Sequence, residues 1–179
     1  MSHALAHVRD IFSFNSTLVR LGIEDLSNED AVRRVRGGEG SSISFLVGHM
    51  ASSRYGILKE LGVTDENPFL ELWGEQQGAR DGADYPGIED LARRWDALAD
   101  LFDRTLAELG EDRLQGDTNL SVPNPRGTLL GALYFFLWHE SYHVGQLGLL
   151  RTEWGYQPLQ FRFYDFVKAR EEEETAAVG

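Results

Sequence analysis

Apolar residues recur at helical spacing in four stretches of the chain, and polar residues occupy the positions between them. The third stretch is the clearest, because arginine and aspartate fill the face opposite its apolar stripe. A period of about 3.6 residues is typical of an amphipathic α-helix that packs one face against a core. The apolar stripe of this predicted helix consists of Leu91, Trp95, Leu98, Phe102, Leu106 and Leu109.

The other three stretches predict helices of similar length. The first covers about residues 4–21 and has Asn15 as a polar position within its apolar stripe. Ser41 and Ser42 can cap a second helix over residues 43–61, which Gly62 follows. The fourth covers about residues 128–154 and begins with LLGALYFFLW, which is apolar on all sides. Because no segment has a convincing strand pattern, the chain is predicted to form an all-α four-helix bundle.

The remaining segments connect or follow these helices. Residues 63–87 form a long connection rich in glycine, aspartate, asparagine and proline, which is typical of a functional lid or a disordered loop. A short helix around Phe69 to Trp73 would interrupt it. After the fourth helix we expect a short C-terminal helix and a mobile acidic tail over about residues 171–179. Residues 1–179 are predicted to form a single domain, since two cores would be cramped at this length.

Composition and charge narrow the function classes. The formal charge of −12 opposes binding to nucleic acid and to an anionic membrane surface, so neither is an expected partner. The longest apolar run before the histidine motif is too short to cross a bilayer, and we expect a soluble, cytoplasmic protein. The chain has no cysteine, so a metal would have to be bound by histidine, aspartate or glutamate.

Histidines are the candidate ligands. His139 and His143 lie four residues apart on the fourth helix, so their imidazoles project from one face. His49 is placed well inside the second helix, with small residues beside it, and is our preferred third ligand. His3 and His7 have the same four-residue spacing but lie at the chain terminus, where fraying is expected. The resulting hypothesis is a divalent-metal site of His49, His139 and His143.

The segment HESYH also fits the HExxH pattern of zinc peptidases, in which the glutamate is the general base. The extended version of that pattern needs a glycine and a third histidine where this chain has Gln146 and Leu149. A zinc peptidase is therefore a remote alternative. Glu140 remains a weak candidate for a catalytic base, and a solvated or salt-bridging glutamate is the simpler interpretation.

Two further polar residues are candidates for roles next to the ligands. Gln146 lies three residues after His143 and shares its face, so its amide could orient a ligating imidazole or a substrate. Asn15 could point at the same site. For both residues, packing or hydrogen bonding between helices is the alternative.

Several segments resemble the DinB-like superfamily, whose proteins carry His-x3-His followed by Gln on the last bundle helix and a third His on the second helix. The matching segments are HESYHVGQLGLLR, ISFLVGHM, NPFLELWG and YPGIEDLARRW. The resemblance implies an up-down-down-up bundle, usually a homodimer, with a divalent metal on His49, His139 and His143.

The same resemblance implies a small-molecule enzyme that is either a thiol-dependent S-transferase or a hydrolase. Zinc or nickel would be favoured, with iron or manganese as alternatives. The thiol would have to be an exogenous low-molecular-weight cofactor, since the chain has no cysteine. A metal-binding or ligand-binding bundle without turnover is the second hypothesis.

Overall fold

The computed structural model describes residues 3–73 and 78–178. Over these two ranges the regular structure is helical, apart from an isolated antiparallel bridge between Asp117 and Thr128. None of the helices in these ranges has the length and apolar character needed to cross a membrane. Besides a short 3-10 turn at Arg36–Gly38, the helices are α1 His3–Ile23, α2 Asn28–Val32, α3 Ile43–Glu60, α4 Leu70–Trp73, α5 Ile88–Ala107, α6 Glu111–Gln115, α7 Leu129–Glu153 and α8 Leu159–Val178.

Helices α1, α3, α5 and α7 form the bundle, and contacts along α1 fix the direction of two of its neighbours. Arg9 near the start of α1 pairs with Asp103 near the end of α5, whereas Ser16 accepts a hydrogen bond from Trp95 near the start of α5. Helices α1 and α5 are therefore antiparallel. Asn15 on α1 bonds Ser141 on α7. Further along, a Cβ added at Gly22 would lie 2.2 Å from Leu147 Cδ2, so α1 and α7 run parallel.

The direction of α3 follows from the contacts at its C-terminal end. Glu60, its last residue, accepts hydrogen bonds from Arg113, Thr118 and Asn119 in the segment that leads into α7. The end of α3 is thus close to the beginning of α7, and the two helices are antiparallel. The predicted all-α bundle with up-down-down-up topology is confirmed.

Two side-chain caps begin the helices that carry the histidines, and the sequence predicted the one at Ser42. The Ser42 hydroxyl accepts a hydrogen bond from the Phe45 amide at 3.2 Å, and Thr128 Oγ1 accepts one from the Gly131 amide at 3.2 Å. Each bond satisfies an amide that has no partner within the first helical turn. These caps fix where α3 and α7 begin, and hence which face each histidine occupies.

Part of the long connection packs on α3. The predicted short helix is present as α4, and both Phe69 and Trp73 are buried. The indole of Trp73 packs against α3 at Gly48, the residue before the candidate ligand His49, and a Cβ added at Gly48 would lie 2.0 Å from Trp73 Cε2. Only glycine permits this approach. Whether the connection acts as a lid stays a prediction.

The C-terminal helix was predicted to be short, and this prediction is wrong. Helix α8 has 20 residues and continues through the acidic segment to Val178, so the start of the expected tail is helical. Alanine, glutamate, lysine and arginine favour helix, and oppositely charged residues four apart support it. Two such pairs are Lys168–Glu172 and Arg170–Glu174. The mobility of residues 171–178 stays a prediction, and Gly179 lies outside the described residues.

Candidate metal centre

The three predicted histidines converge between α3 and α7. His49 Nε2 lies 3.1 Å from His139 Nε2, and His143 Nε2 also lies 3.1 Å from His139 Nε2. One ring nitrogen from each residue lies within 4.8 Å of the other two, as a shared cation would require. Adjacent turns of α7 bring two of the rings to one face, and the antiparallel α3 supplies the third.

The donor set fits a divalent transition metal. Four-coordinate zinc binds imidazole nitrogen at about 2.0–2.1 Å, which places its ligand nitrogens about 3.3 Å apart. The observed separations of 3.1 Å are close to this spacing. The rings meet edge to face rather than stacked, with interplanar angles of 65° to 86°, so their nitrogen edges face one another. Three protein ligands are the number used by catalytic zinc sites, which keep a further position for substrate.

Burial keeps these imidazoles neutral. Loss of solvation, together with a smaller effect of the neighbouring His143, lowers the pKa of His49 and of His139 to about 4. Burial also lowers the pKa of His143, although the hydrogen bond to Gln146 and the charge of Glu140 oppose this. A metal binds the neutral imidazole, so at neutral pH all three rings are in the form that a cation requires.

Aromatic side chains surround the histidines. Phe45 stacks on His49 with ring centroids 5.8 Å apart, and Phe135 stacks on His139 at 6.0 Å. The Tyr142 ring meets His143 at 5.1 Å. This shell removes part of the solvent from the half-buried rings, which accounts for the lowered pKa values and would strengthen electrostatic interactions at the centre.

Gln146 contacts a ligand candidate directly. Its Oε1 lies 2.6 Å from His143 Nδ1, so it can accept the Nδ1 proton and leave the Nε2 lone pair free. The amide nitrogen of Gln146 donates to the Tyr142 hydroxyl at 3.1 Å. By contrast, His139 Nδ1 is buried and has no hydrogen-bond partner in the parts of the chain that the structure describes.

Asn15 lies elsewhere. Its side-chain amide donates to the Ser141 hydroxyl at 3.0 Å, on a face of α7 that points away from the histidines. This contact matches the alternative in which Asn15 bridges two helices. His3 and His7 are exposed at the start of α1.

Glu140 is occupied by an ion pair in the core. Arg54 donates from Nε to one carboxylate oxygen at 2.7 Å and from Nη2 to the other at 2.8 Å. Only 1% of the Arg54 side chain and 3% of the Glu140 side chain are exposed. Glu140 is therefore a salt-bridging residue, as the simpler interpretation expected. In a zinc peptidase the same carboxylate would have to lie beside the metal to act as the base.

Sequence reasoning missed Arg54, although a signal for it existed. Its guanidinium lies over the rings of Trp95 at 4.5 Å, Phe102 at 5.0 Å and Phe12 at 5.5 Å. A glutamate within a helix as apolar as α7 must find a buried cation, since an unpaired buried charge is costly. Arg54, a cation well inside α3, was one residue that could meet this need, although the pairing itself follows only from the packing of α3 against α7.

Comparisons with known proteins agree with this fold. The family model described as DinB superfamily matches residues 16–147. The chain is structurally similar to YfiT from Bacillus subtilis, described as a probable metal-dependent hydrolase with an unusual four-helix bundle topology. That similarity has a TM-score of 0.59 at 16% identity and covers 88% of this chain and 91% of the other. No curated protein sequence matches significantly. Because the family model spans most of the chain, this protein belongs to the DinB superfamily.

Proposed function

We propose that this protein is a divalent-metal-dependent enzyme acting on a small molecule in the cytoplasm, either as a thiol-dependent S-transferase or as a hydrolase. The observation that carries the proposal is the convergence of His49, His139 and His143. His49 Nε2 and His143 Nε2 each lie 3.1 Å from His139 Nε2, and one ring nitrogen of each residue lies within 4.8 Å of the other two. Membership of the DinB superfamily and the similarity to YfiT, a probable metal-dependent hydrolase, support metal dependence. Zinc or nickel suits an all-imidazole site, with iron or manganese as alternatives.

The chain would contribute the ligands, hold them in orientation and surround them with aromatic rings that shield part of the site from solvent. A divalent cation held by three neutral imidazoles would keep its full charge and activate water or a thiol as a nucleophile near neutral pH. Gln146 would hold the proton on His143 Nδ1 and so keep that ring in its ligating form. Because the chain has no cysteine, any thiol must be an exogenous small molecule.

Metal analysis of untagged protein tests the site. We expect about one equivalent of zinc or nickel after loading and dialysis, and a loss of at least tenfold in affinity for His49→Ala. His7→Ala is the matched control, because His7 also has a histidine four residues away but is exposed. Equal metal affinity in His49→Ala and the wild type would refute the three-histidine site.

A bundle that binds metal without turnover is the second candidate. Activity assays of the metal-loaded protein with a panel of small thiols and electrophiles, and with ester and amide substrates, distinguish the two. Turnover that disappears in His49→Ala and remains in His7→Ala would support the enzyme. Metal binding with no reaction in any of these assays would favour the binding protein.

We further propose that the protein is a homodimer. Helix α7 presents a stripe of exposed apolar side chains at helical spacing, and such a stripe is unusual on a protein that stays monomeric. The residues are Tyr134, Trp138, Tyr142 and Leu149. Sedimentation equilibrium should give twice the chain mass for the wild type and a lower mass for Trp138→Glu. A monomeric wild type at micromolar concentration would refute the dimer.

A further inference from the structure

We propose that the Tyr142 hydroxyl is a positioning group for the metal centre, acting on His143 through the amide of Gln146. The inference rests on the proposed metal site and adds to it a residue that would never touch the cation. Two hydrogen bonds carry it. Gln146 Oε1 lies 2.6 Å from His143 Nδ1, and Gln146 Nε2 donates to the Tyr142 hydroxyl at 3.1 Å.

The tyrosine restrains a side chain that is otherwise flexible. Glutamine has several rotatable bonds, and fixing them costs conformational free energy whenever the amide engages the imidazole. A second hydrogen bond at the other end of the amide orders the side chain in advance, so less conformational free energy is lost when a metal binds. Tyr142 is suited to this because its ring packs against His143 with centroids 5.1 Å apart, which places the hydroxyl with few free torsions.

The direction of the hydrogen bonds agrees with metal binding. A cation on Nε2 leaves the proton on Nδ1 of His143, and that proton is donated to Gln146 Oε1. The amide nitrogen then faces Tyr142, whose oxygen accepts. Both bonds run from the ring through the amide to the phenol, and hydrogen bonds aligned in this way polarise and strengthen one another.

Among the described residues, His143 has this support at Nδ1 and His139 has no hydrogen-bond partner at Nδ1. His139 Nδ1 is buried without a hydrogen-bond partner in the described ranges, so only ring packing orients that imidazole. The Tyr142 ring itself is 52% exposed, and its hydroxyl is not needed to satisfy a buried group of the core. The contact between Tyr142 and Gln146 is thus explained by the metal site rather than by folding.

The test is a double-mutant cycle on zinc affinity, measured by competition with a chromophoric chelator. We expect Gln146→Ala to weaken zinc binding by about 10-fold to 100-fold, the range for groups that orient metal ligands. Tyr142→Phe should weaken it by about 3-fold to 10-fold, as for one neutral hydrogen bond. Adding Tyr142→Phe to Gln146→Ala should have no further effect, since the tyrosine acts through the amide. Tyr134→Phe, an exposed tyrosine on the same helix with no hydrogen bond in the described ranges, should bind like the wild type.

A second readout separates positioning from general destabilisation. In the zinc-loaded wild type the His143 Nδ1 proton should exchange slowly by NMR, and Tyr142→Phe should accelerate this exchange without changing the melting temperature of the metal-free protein. If Tyr142→Phe bound zinc with wild-type affinity, this inference would be overturned and the metal site would remain. The same conclusion would follow if Tyr142→Phe weakened zinc binding equally in the wild type and in Gln146→Ala. A wild type that takes up no zinc would instead overturn the proposed function.

Discussion

Removing one partner of the buried ion pair between Arg54 and Glu140 should destabilise the fold strongly. In Arg54→Met the Glu140 carboxylate, 3% exposed, would keep no cation for its two oxygens. Breaking a buried pair in this way costs about 3–5 kcal/mol, a large part of the roughly 5–15 kcal/mol that stabilises a typical domain. A chain of this length loses about 2–4 °C in melting temperature per kcal/mol, so a decrease of about 6–20 °C is expected.

Replacing both partners should restore most of the stability that the single substitution removes. The guanidinium of Arg54 lies among the rings of Phe12, Trp95 and Phe102, so a methionine there would find apolar neighbours. In Arg54→Met with Glu140→Leu no charge remains buried, and such exchanges are often neutral or stabilising. The free energy of unfolding of the double variant should therefore lie within about 2 kcal/mol of the wild-type value. This would be a clear departure from additivity of the two single substitutions.

Urea and thermal unfolding of the metal-free protein, followed by circular dichroism, measure these changes, and metal content is measured on the same samples. The double variant should bind metal like the wild type, because neither residue is a ligand candidate. Unchanged stability in Glu140→Gln together with lost metal-dependent activity would refute the reasoning. It would show that the carboxylate serves the chemistry and not the core.

Three further predictions concern the site and its supports. Burial lowers the pKa of His49 and His139 to about 4, below the roughly 6.5 of an unfolded histidine, so zinc content in a dialysis series should hold at about pH 6 and fall toward pH 4. The metal-free protein should lose stability over the same interval, because the unfolded chain binds protons that the folded chain excludes. Gly48→Ala should cost about 1–3 kcal/mol in urea unfolding, since its Cβ would overlap Trp73, and an unchanged midpoint would contradict that packing. Asn15→Ala should lower stability by about 1 kcal/mol and leave zinc affinity unchanged, and a tenfold weaker affinity would place Asn15 in the site.

The bundle and its histidine cluster could be predicted because both depend on regular helical geometry. A 3.6-residue apolar period identifies the face of each helix that is buried, and Ser42 and Thr128 mark where two of the helices begin. Residues four apart on a helix must share a face, so His139 and His143 were bound to be neighbours. His49 was placed opposite them because it is the one remaining histidine well inside a predicted helix, whereas His3 and His7 lie at the chain terminus.

The role of Glu140 could not be read in the same way. Helical spacing places it about 100° round α7 from His139, but it does not reveal what lies on that side. Its partner, Arg54, is 86 residues away in the chain and belongs to another helix. Periodicity predicts the burial of such positions, whereas the pairing of two buried charges depends on tertiary packing.

X-ray absorption spectroscopy of the zinc-loaded protein tests the central claim most directly, because it counts the imidazoles bound to the metal. The wild type should show three imidazole nitrogens at about 2.0–2.1 Å, and His49→Ala should show two. A wild-type spectrum with fewer than three imidazoles, or one that His49→Ala leaves unchanged, would contradict the convergence of α3 and α7 on a common cation.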